Sequence, residues 1–138
     1  RAAVLNLIPT TTGAARAVGK VLPQLKGKLD GMAMRAPVPD GSLVDLAVRF
    51  RSTPSTADVN TALREAAGGA LAGILEYSEA PLVSSDIVGN PHSSIVDALS
   101  TRAESDGYAR VVAWYDNEWG YSNRVVDLIE RLAAIGRG

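Results

Sequence analysis

The run Trp114–Arg124 holds the side chains of this sequence that are best suited to bind a flat, polar ligand. It contains both Trp residues and two of the four Tyr residues, although the chain is only 5% aromatic. Asn117 and Tyr121 lie four residues apart, so they share a face if a helix begins here. An amide can both donate to and accept from a carboxamide. The run therefore predicts one wall of a ligand site, and the alternative interpretation is a capping Asn beside a half-buried Tyr.

Two further positions have the chemistry to hold phosphate. Thr12 and Gly13 precede a predicted helix, where unpaired backbone N–H groups, a hydroxyl donor and an open backbone suit an anion. Arg35 lies in the otherwise apolar segment 32–36, and a guanidinium on a strand can grip a phosphate or a carboxylate with two hydrogen bonds. The plainer alternatives are a simple helix cap and a solvent-facing Arg on a half-buried strand.

His92 is the single His, and it lies in the turn 90–93 near Ser84, Ser85 and Asp86. A catalytic triad needs a nucleophile in a strand–turn–helix elbow, and no such context surrounds these Ser residues. We therefore interpret His92 as a surface-loop residue. Since the chain has no Cys, it can form no disulfide, no Cys-ligated metal site and no thiol nucleophile. With one His in addition, we expect no metal site.

Length and composition are those of an ordinary globular domain. The chain has 138 residues, 46% hydrophobic and 21% charged, with a net charge of −1. Lys and Arg are scattered, so we expect neither a nucleic-acid-binding face nor a basic membrane-binding patch. No apolar run approaches the roughly 18 residues that a transmembrane helix needs. The sequence begins at Arg1 without an initiator Met, and we interpret it as the middle of something longer.

Hydrophobic periodicity places the candidate residues on an α+β fold. Helices are predicted over about 14–25, 56–68 and 117–135. Pro23 should end or kink the first helix, and Ser55 or Thr56 should cap the second. Strands are predicted at 32–35 and 44–50, which we join as an antiparallel hairpin, near 74–77, 83–88 and 94–99, and at 108–115. This order predicts a largely antiparallel or mixed sheet covered on one face by helices.

Three segments in order resemble one enzyme family. They are Asn6–Lys20, Leu25–Pro37 and Trp114–Leu128, with 83–86 and 92–94 fitting between them. Together they resemble the C-terminal part of phosphorylating glyceraldehyde-3-phosphate dehydrogenase of bacterial type. The resemblance implies that the dinucleotide-binding Rossmann domain, the catalytic Cys and the catalytic His lie before Arg1, and His92 does not match that His. It also implies a partial catalytic domain over 1–116 and a C-terminal helix, 117–138, that packs on the missing Rossmann domain.

The resemblance gives each candidate residue a role in the oxidative phosphorylation of glyceraldehyde 3-phosphate to 1,3-bisphosphoglycerate. Thr12 and Gly13 would hold the attacking inorganic phosphate, and Arg35 would balance charge at the phosphate sites. Asn117 would hydrogen-bond the nicotinamide carboxamide of NAD or NADP, and Tyr121 would pack beside the ring. The family's Cys thiolate attacks the aldehyde, so this chain contributes by positioning its ligands.

The remaining expectations also follow from the resemblance. It implies a cytoplasmic homotetramer with no nucleic-acid or membrane partner. The isolated chain should be inactive and, with the apolar stripe of its last helix uncovered, should associate. Two alternatives stay open: a portion of erythrose-4-phosphate dehydrogenase, which needs no attacking phosphate, and a non-catalytic binding or assembly module that keeps the fold.

Overall fold

The computed structural model describes residues 2–136. The chain divides into two compact units, Arg1–Pro39 and Asp40–Gly138. The division predicted at residue 116 concerns packing on a further domain, and it stays a prediction.

The first unit is a two-stranded ribbon with one helix. Strand β1 (Ile8–Thr11) pairs antiparallel with strand β2 (Met32–Arg35), and helix α1 (Ala14–Val21) connects them. Short 3-10 turns cover Ala3–Leu5 and Pro23–Leu25. Pro23 follows the end of α1, as predicted, because a proline cannot continue the helical hydrogen-bond ladder.

The predicted hairpin between residues 32–35 and 44–50 is wrong. Strand β2 pairs instead with β1, which contains Pro9 and was not predicted as a strand. A proline is tolerated in a strand with a free edge, where its missing N–H interrupts no ladder. The strand predicted at 44–50 is β3 (Ser42–Arg49), and all eight of its residues pair with the strand Tyr108–Tyr115.

The second unit is a four-stranded mixed sheet with helices, as the predicted α+β class requires. After β3 come helix α2 (Thr56–Gly68), strands β4 (Leu75–Ser78), β5 (Ser94–Ala103) and β6 (Tyr108–Tyr115), and helix α3 (Asn117–Ile135). The strand order is β3-β6-β5-β4, with β4 parallel to β5 and the other neighbours antiparallel. Helix α2 packs against β4 and β5. Its cap is Ser55, whose hydroxyl accepts from Asp58 N.

The segment predicted as a strand near 83–88 is a 3-10 helix, Ser84–Ile87. The Asp86 carboxylate accepts from Val83 N at 2.8 Å, which gives the backbone an alternative to sheet pairing. Ile87 is 1% exposed. The segment is therefore packed against the sheet without being part of it.

The core lies in the second unit, on the central strands and the elements that cover them. Its most buried side chains are Ile87, Ile95, Val96 and Thr101, and Val59 contributes from α2. None of the helices within residues 2–136 combines the length and the apolar character needed to cross a membrane.

Large apolar surfaces are uncovered. No residue from Ala2 to Pro39 is buried. On α3, the side chains of Leu128, Ile129, Leu132 and Ile135 are 56–77% exposed. An apolar patch of this kind on a soluble chain drives association.

We therefore expect the purified chain to associate, with an apparent mass in light scattering that rises with concentration. Replacing Ile129 and Leu132 by Lys should reduce the association, because it interrupts the stripe on α3. A stable monomer of 14.4 kDa at all concentrations would contradict the prediction.

Candidate functional site

A shallow cleft lies at the start of α3. Its volume is about 250 Å³, and it is lined by Ser93, Tyr115, Asp116, Asn117, Gly120, Tyr121 and Arg124. The structure thus brings Asn117 and Tyr121 to one cleft, four residues apart on one helix face. Both are exposed, Tyr121 to 72%. An amide and an aromatic ring are therefore accessible to a ligand side by side.

Asp116, not Asn117, caps the helix. Its Oδ1 accepts from Trp119 N at 2.8 Å and its Oδ2 from Gly89 N at 2.8 Å. The N–H of Gly89, and then that of Trp119, lower the pKa of this buried carboxyl group against the opposing effect of burial. The ionised form stabilises the fold above the ordinary carboxyl pKa, and this contribution is lost as acidification reaches the lowered pKa. With Asp116 as the cap, the Asn117 amide is not needed for capping.

The opposite side of the cleft is the segment that leads into β5. Gly120 is buried against it, and a Cβ built there would lie 3.1 Å from His92 O and 3.8 Å from Ser93 Cα. A side chain at position 120 would therefore push α3 away from the segment. The glycine allows the first turn of α3 to lie directly on the backbone of residues 92 and 93.

Arg124 lines the cleft although the sequence analysis did not single it out. One terminal nitrogen donates to Gly73 O at 3.0 Å, and the other lies 3.0 Å from Asp127 Oδ2. Its Nε is buried and has no hydrogen-bond partner within residues 2–136. The signal was present in the spacing, because Arg124 is seven residues after Asn117 and three after Tyr121, positions that share a helix face.

Three carboxylates gather beside the cleft. Oxygens of Asp40, Asp116 and Glu118 lie within 4.8 Å of one another. Both oxygens of Asp116 already accept backbone N–H groups, and Glu118 is exposed. Asp116 thus serves as the cap of α3, and Asp40 Oδ1 accepts from Gly41 N.

Thr12 and Gly13 lie in the first unit, at the start of α1. The Thr12 hydroxyl accepts from Ala14 N at 3.2 Å, and Gly13 is the helix N-cap without a side-chain cap. Gly13 has an ordinary φ of −91°, and a Cβ there would meet no atom within 4 Å. Neither backbone conformation nor packing within the chain therefore requires glycine at this position.

Arg35 is exposed at the far end of the same ribbon. It pairs with Ile8, whereas Thr12 follows Thr11, which pairs with Met32. Thr12 and Arg35 therefore lie toward opposite ends of the ribbon, separated by four residues or about 13 Å along the strand. The ribbon thus carries the hydroxyl at one end and the guanidinium near the other, and it does not bring them into contact.

His92 lies in the loop before β5, between the exposed Pro91 and Ser93, and its side chain is half-buried in a polar cluster. Its Nδ1 lies 3.0 Å from Glu76 Oε2 and 2.9 Å from Asn90 Oδ1, and Asn90 Nδ2 donates to Glu76 Oε2 at 2.8 Å. Within residues 2–136 no hydrogen bond joins the ring to a Ser hydroxyl, so this arrangement is not a triad. The cluster ties the segment before β5 to β4.

Comparison with known proteins agrees with the resemblance. The family described as glyceraldehyde 3-phosphate dehydrogenase, C-terminal domain, matches residues 1–117. Curated glyceraldehyde-3-phosphate dehydrogenases are similar: that of Mycolicibacterium smegmatis is 58% identical over 129 residues, covering 94% of this chain and 38% of the relative. That of Borreliella burgdorferi is 58% identical over 134 residues, covering 96% and 40%. That of Priestia megaterium is 59% identical over 136 residues, covering 99% and 41%. The chain thus spans about two fifths of the length of these relatives.

Proposed function

The chain belongs to the glyceraldehyde-3-phosphate dehydrogenase C-terminal domain family, and from this premise we propose that it binds phosphate and positions nicotinamide in such an enzyme. The proposed reaction oxidises glyceraldehyde 3-phosphate with NAD or NADP and inorganic phosphate to 1,3-bisphosphoglycerate. The observation that supports the proposal best is the cleft at the start of α3, which has an exposed amide and an exposed phenol ring side by side.

Asn117 and Tyr121 are the proposed cofactor contacts. The Asn117 amide matches the nicotinamide carboxamide, because each group has a donor and an acceptor. A bond at this point fixes which face of the ring is presented, and the Tyr121 ring packs beside it. When bound beside these residues, NAD(P) would supply the hydride acceptor for the oxidation. The contribution of this chain is orientation, which supplies rate by holding reactants in a productive geometry.

Thr12, Gly13 and Arg35 are the proposed phosphate contacts. The start of α1 offers backbone N–H groups and a hydroxyl, and the open space at Gly13 leaves room for an anion beside the backbone. Arg35, toward the other end of the ribbon, supplies a positive charge for the two phosphate groups that meet in the reaction. The separation of Thr12 and Arg35 suits two neighbouring phosphate sites better than a single one.

The rest of the enzyme would supply the parts that this chain lacks. We propose that a Rossmann domain provides the dinucleotide site, the nucleophilic Cys and the catalytic His, and that residues 117–138 pack on it. The exposed apolar side chains of α3 support this arrangement, since a helix of a folded enzyme normally covers such a stripe. A cytoplasmic homotetramer is the proposed assembly.

The test uses a full-length subunit in which this chain replaces the matching part of the Mycolicibacterium smegmatis relative. Asn117→Ala should raise KM for NAD about tenfold, the effect of losing one good hydrogen bond, and leave KM for phosphate unchanged. Thr12→Ala should do the reverse. Asn123→Ala is the matched control, because its amide lies on the same helix and donates to Trp119 O outside the cleft. Equal effects of the two Asn variants would contradict the cofactor role.

The same subunit separates the alternatives. Loss of turnover on removing inorganic phosphate supports the phosphorylating reaction. Turnover that needs no inorganic phosphate, with erythrose 4-phosphate as the preferred substrate, supports the alternative of an erythrose-4-phosphate dehydrogenase. A well-folded subunit that binds NAD without turnover supports a binding module.

A further inference from the structure

Asp116 joins the two sides of the cleft, and it is not one of the proposed ligand contacts. Asp116 is 4% exposed, and each of its oxygens accepts from a different part of the chain. Oδ1 accepts from Trp119 N, in the first turn of α3, and Oδ2 accepts from Gly89 N, 27 residues earlier. One carboxylate therefore fixes the start of the helix relative to the segment that leads into β5.

These two elements carry the residues that face the cleft. Ser93 lines one side, and Asn117 and Tyr121 line the other. The contact between them is close, because the backbone of His92 lies directly against Gly120. Asn117 itself is adjacent to Asp116 in the chain, so a change at the carboxylate is transmitted to its amide through one peptide unit.

We propose that Asp116 is a positioning residue for Asn117, holding the cofactor side of the cleft in place by binding Gly89 N–H and Trp119 N–H at once. The inference rests on the proposed function, in which Asn117 contacts the nicotinamide carboxamide. An ionised carboxylate suits the task because it has two acceptor oxygens and no donor, whereas an amide of the same size has only one acceptor. A small displacement of a group that orients substrate is costly, since errors near 1 Å can reduce rates about 100-fold.

The first test measures the clamp itself, by hydrogen exchange of the 138-residue chain. Asp116→Asn leaves one oxygen for two N–H groups, so peptides containing Gly89 or Trp119 should exchange faster. Asp58→Asn is the matched control: its carboxylate also accepts a backbone N–H at a helix start, that of Ser55, but lies outside the cleft. It should leave both peptides unchanged. Unaltered exchange of both peptides in Asp116→Asn would overturn the inference.

The second test asks whether the clamp acts through Asn117, in the full-length hybrid subunit. Asp116→Asn should raise KM for NAD about fivefold and leave KM for phosphate unchanged. A purely structural role would lower the active fraction, and hence apparent kcat, without this selective change. In the Asn117→Ala background Asp116→Asn should change KM for NAD less than about twofold, because residues that act as a unit are not additive. Fully additive effects would overturn the inference.

The outcomes separate the inference from the proposed function. If Asn117→Ala leaves KM for NAD unchanged, the cofactor role fails, while hydrogen exchange still tests the clamp. If Asn117→Ala has its effect and Asp116→Asn has none, only the inference fails.

A second variant covers the case that Asp116→Asn does not fold. Asp116→Ser keeps a good helix cap for Trp119 N, but its side chain is too short to reach Gly89 as well. It should lose protection only at the peptide containing Gly89 and still raise KM for NAD. Lost protection at Gly89 with an unchanged KM for NAD would overturn the inference.

Discussion

The isolated 138-residue chain is expected to form no NADH from glyceraldehyde 3-phosphate, NAD and inorganic phosphate. The proposed reaction needs a thiolate nucleophile, and the chain has no Cys. Removing the nucleophile of a covalent mechanism costs on the order of 10⁶ in kcat, which puts turnover below detection. The measurement is absorbance at the NADH band with the chain at high concentration over hours.

The positive control is the full-length hybrid subunit, assayed in parallel. It should turn over, because under the proposed function the rest of the subunit supplies the nucleophilic Cys and this chain supplies the ligand contacts. Turnover by the isolated chain that requires phosphate and is lost in Asn117→Ala would refute the proposed division of labour between the two portions.

Replacing Ile95 by Ala is expected to lower the free energy of unfolding of the second unit by about 3 kcal/mol, within the range for fully buried Ile-to-Ala changes. Ile95 is 0% exposed on β5, between Glu76 on β4 and Trp114 on β6. Deleting part of its side chain leaves a cavity. Strand β5 cannot shift to fill it, because it is hydrogen-bonded to β4 on one side and to β6 on the other. Urea denaturation followed by Trp fluorescence measures the loss, since Trp114 is directly opposite the substituted residue.

Ile135→Ala is the matched control for this prediction. The chemical change is identical, but Ile135 is 77% exposed near the end of α3. Its effect on the same transition should stay within about 0.5 kcal/mol, as for surface substitutions in general. Similar losses for both variants would mean that Ile95 is not part of the cooperative core.

Elements with strong local signals could be predicted from the sequence. Strand β6 and helix α3 have the predicted bounds, because the first is a run of β-branched and aromatic residues and the second has a clear apolar stripe ended by Gly136. Strand pairing is not local. Adjacency along the chain favours pairing of β2 with β3, whereas β2 pairs with β1, a strand that was not predicted. Pairing depends on which partner offers the longest matching ladder, and no single segment encodes that.

The candidate site divides in the same way. Motif resemblance supplied roles for Asn117 and Tyr121, and helical spacing predicted that they share a face. The interaction that holds the start of this helix involves Gly89, far away in sequence, and a glycine gives no sign of the carboxylate that its N–H will meet. Asp116 is therefore not among the residues predicted from the sequence. Its importance follows from the fold, which brings residues 89–93 against α3.

The strand order β3-β6-β5-β4 has a consequence for synthesis on the ribosome. The strand that joins β3 to the rest of the sheet is the last of the four to be translated, so β3 has no sheet partner until Tyr115 has left the exit tunnel. Until then β3, an apolar strand with neither edge hydrogen-bonded, is exposed to other nascent chains. Closing the long loop between β3 and β6 is also slow. The nascent chain should therefore depend on chaperones most strongly just before β6 emerges.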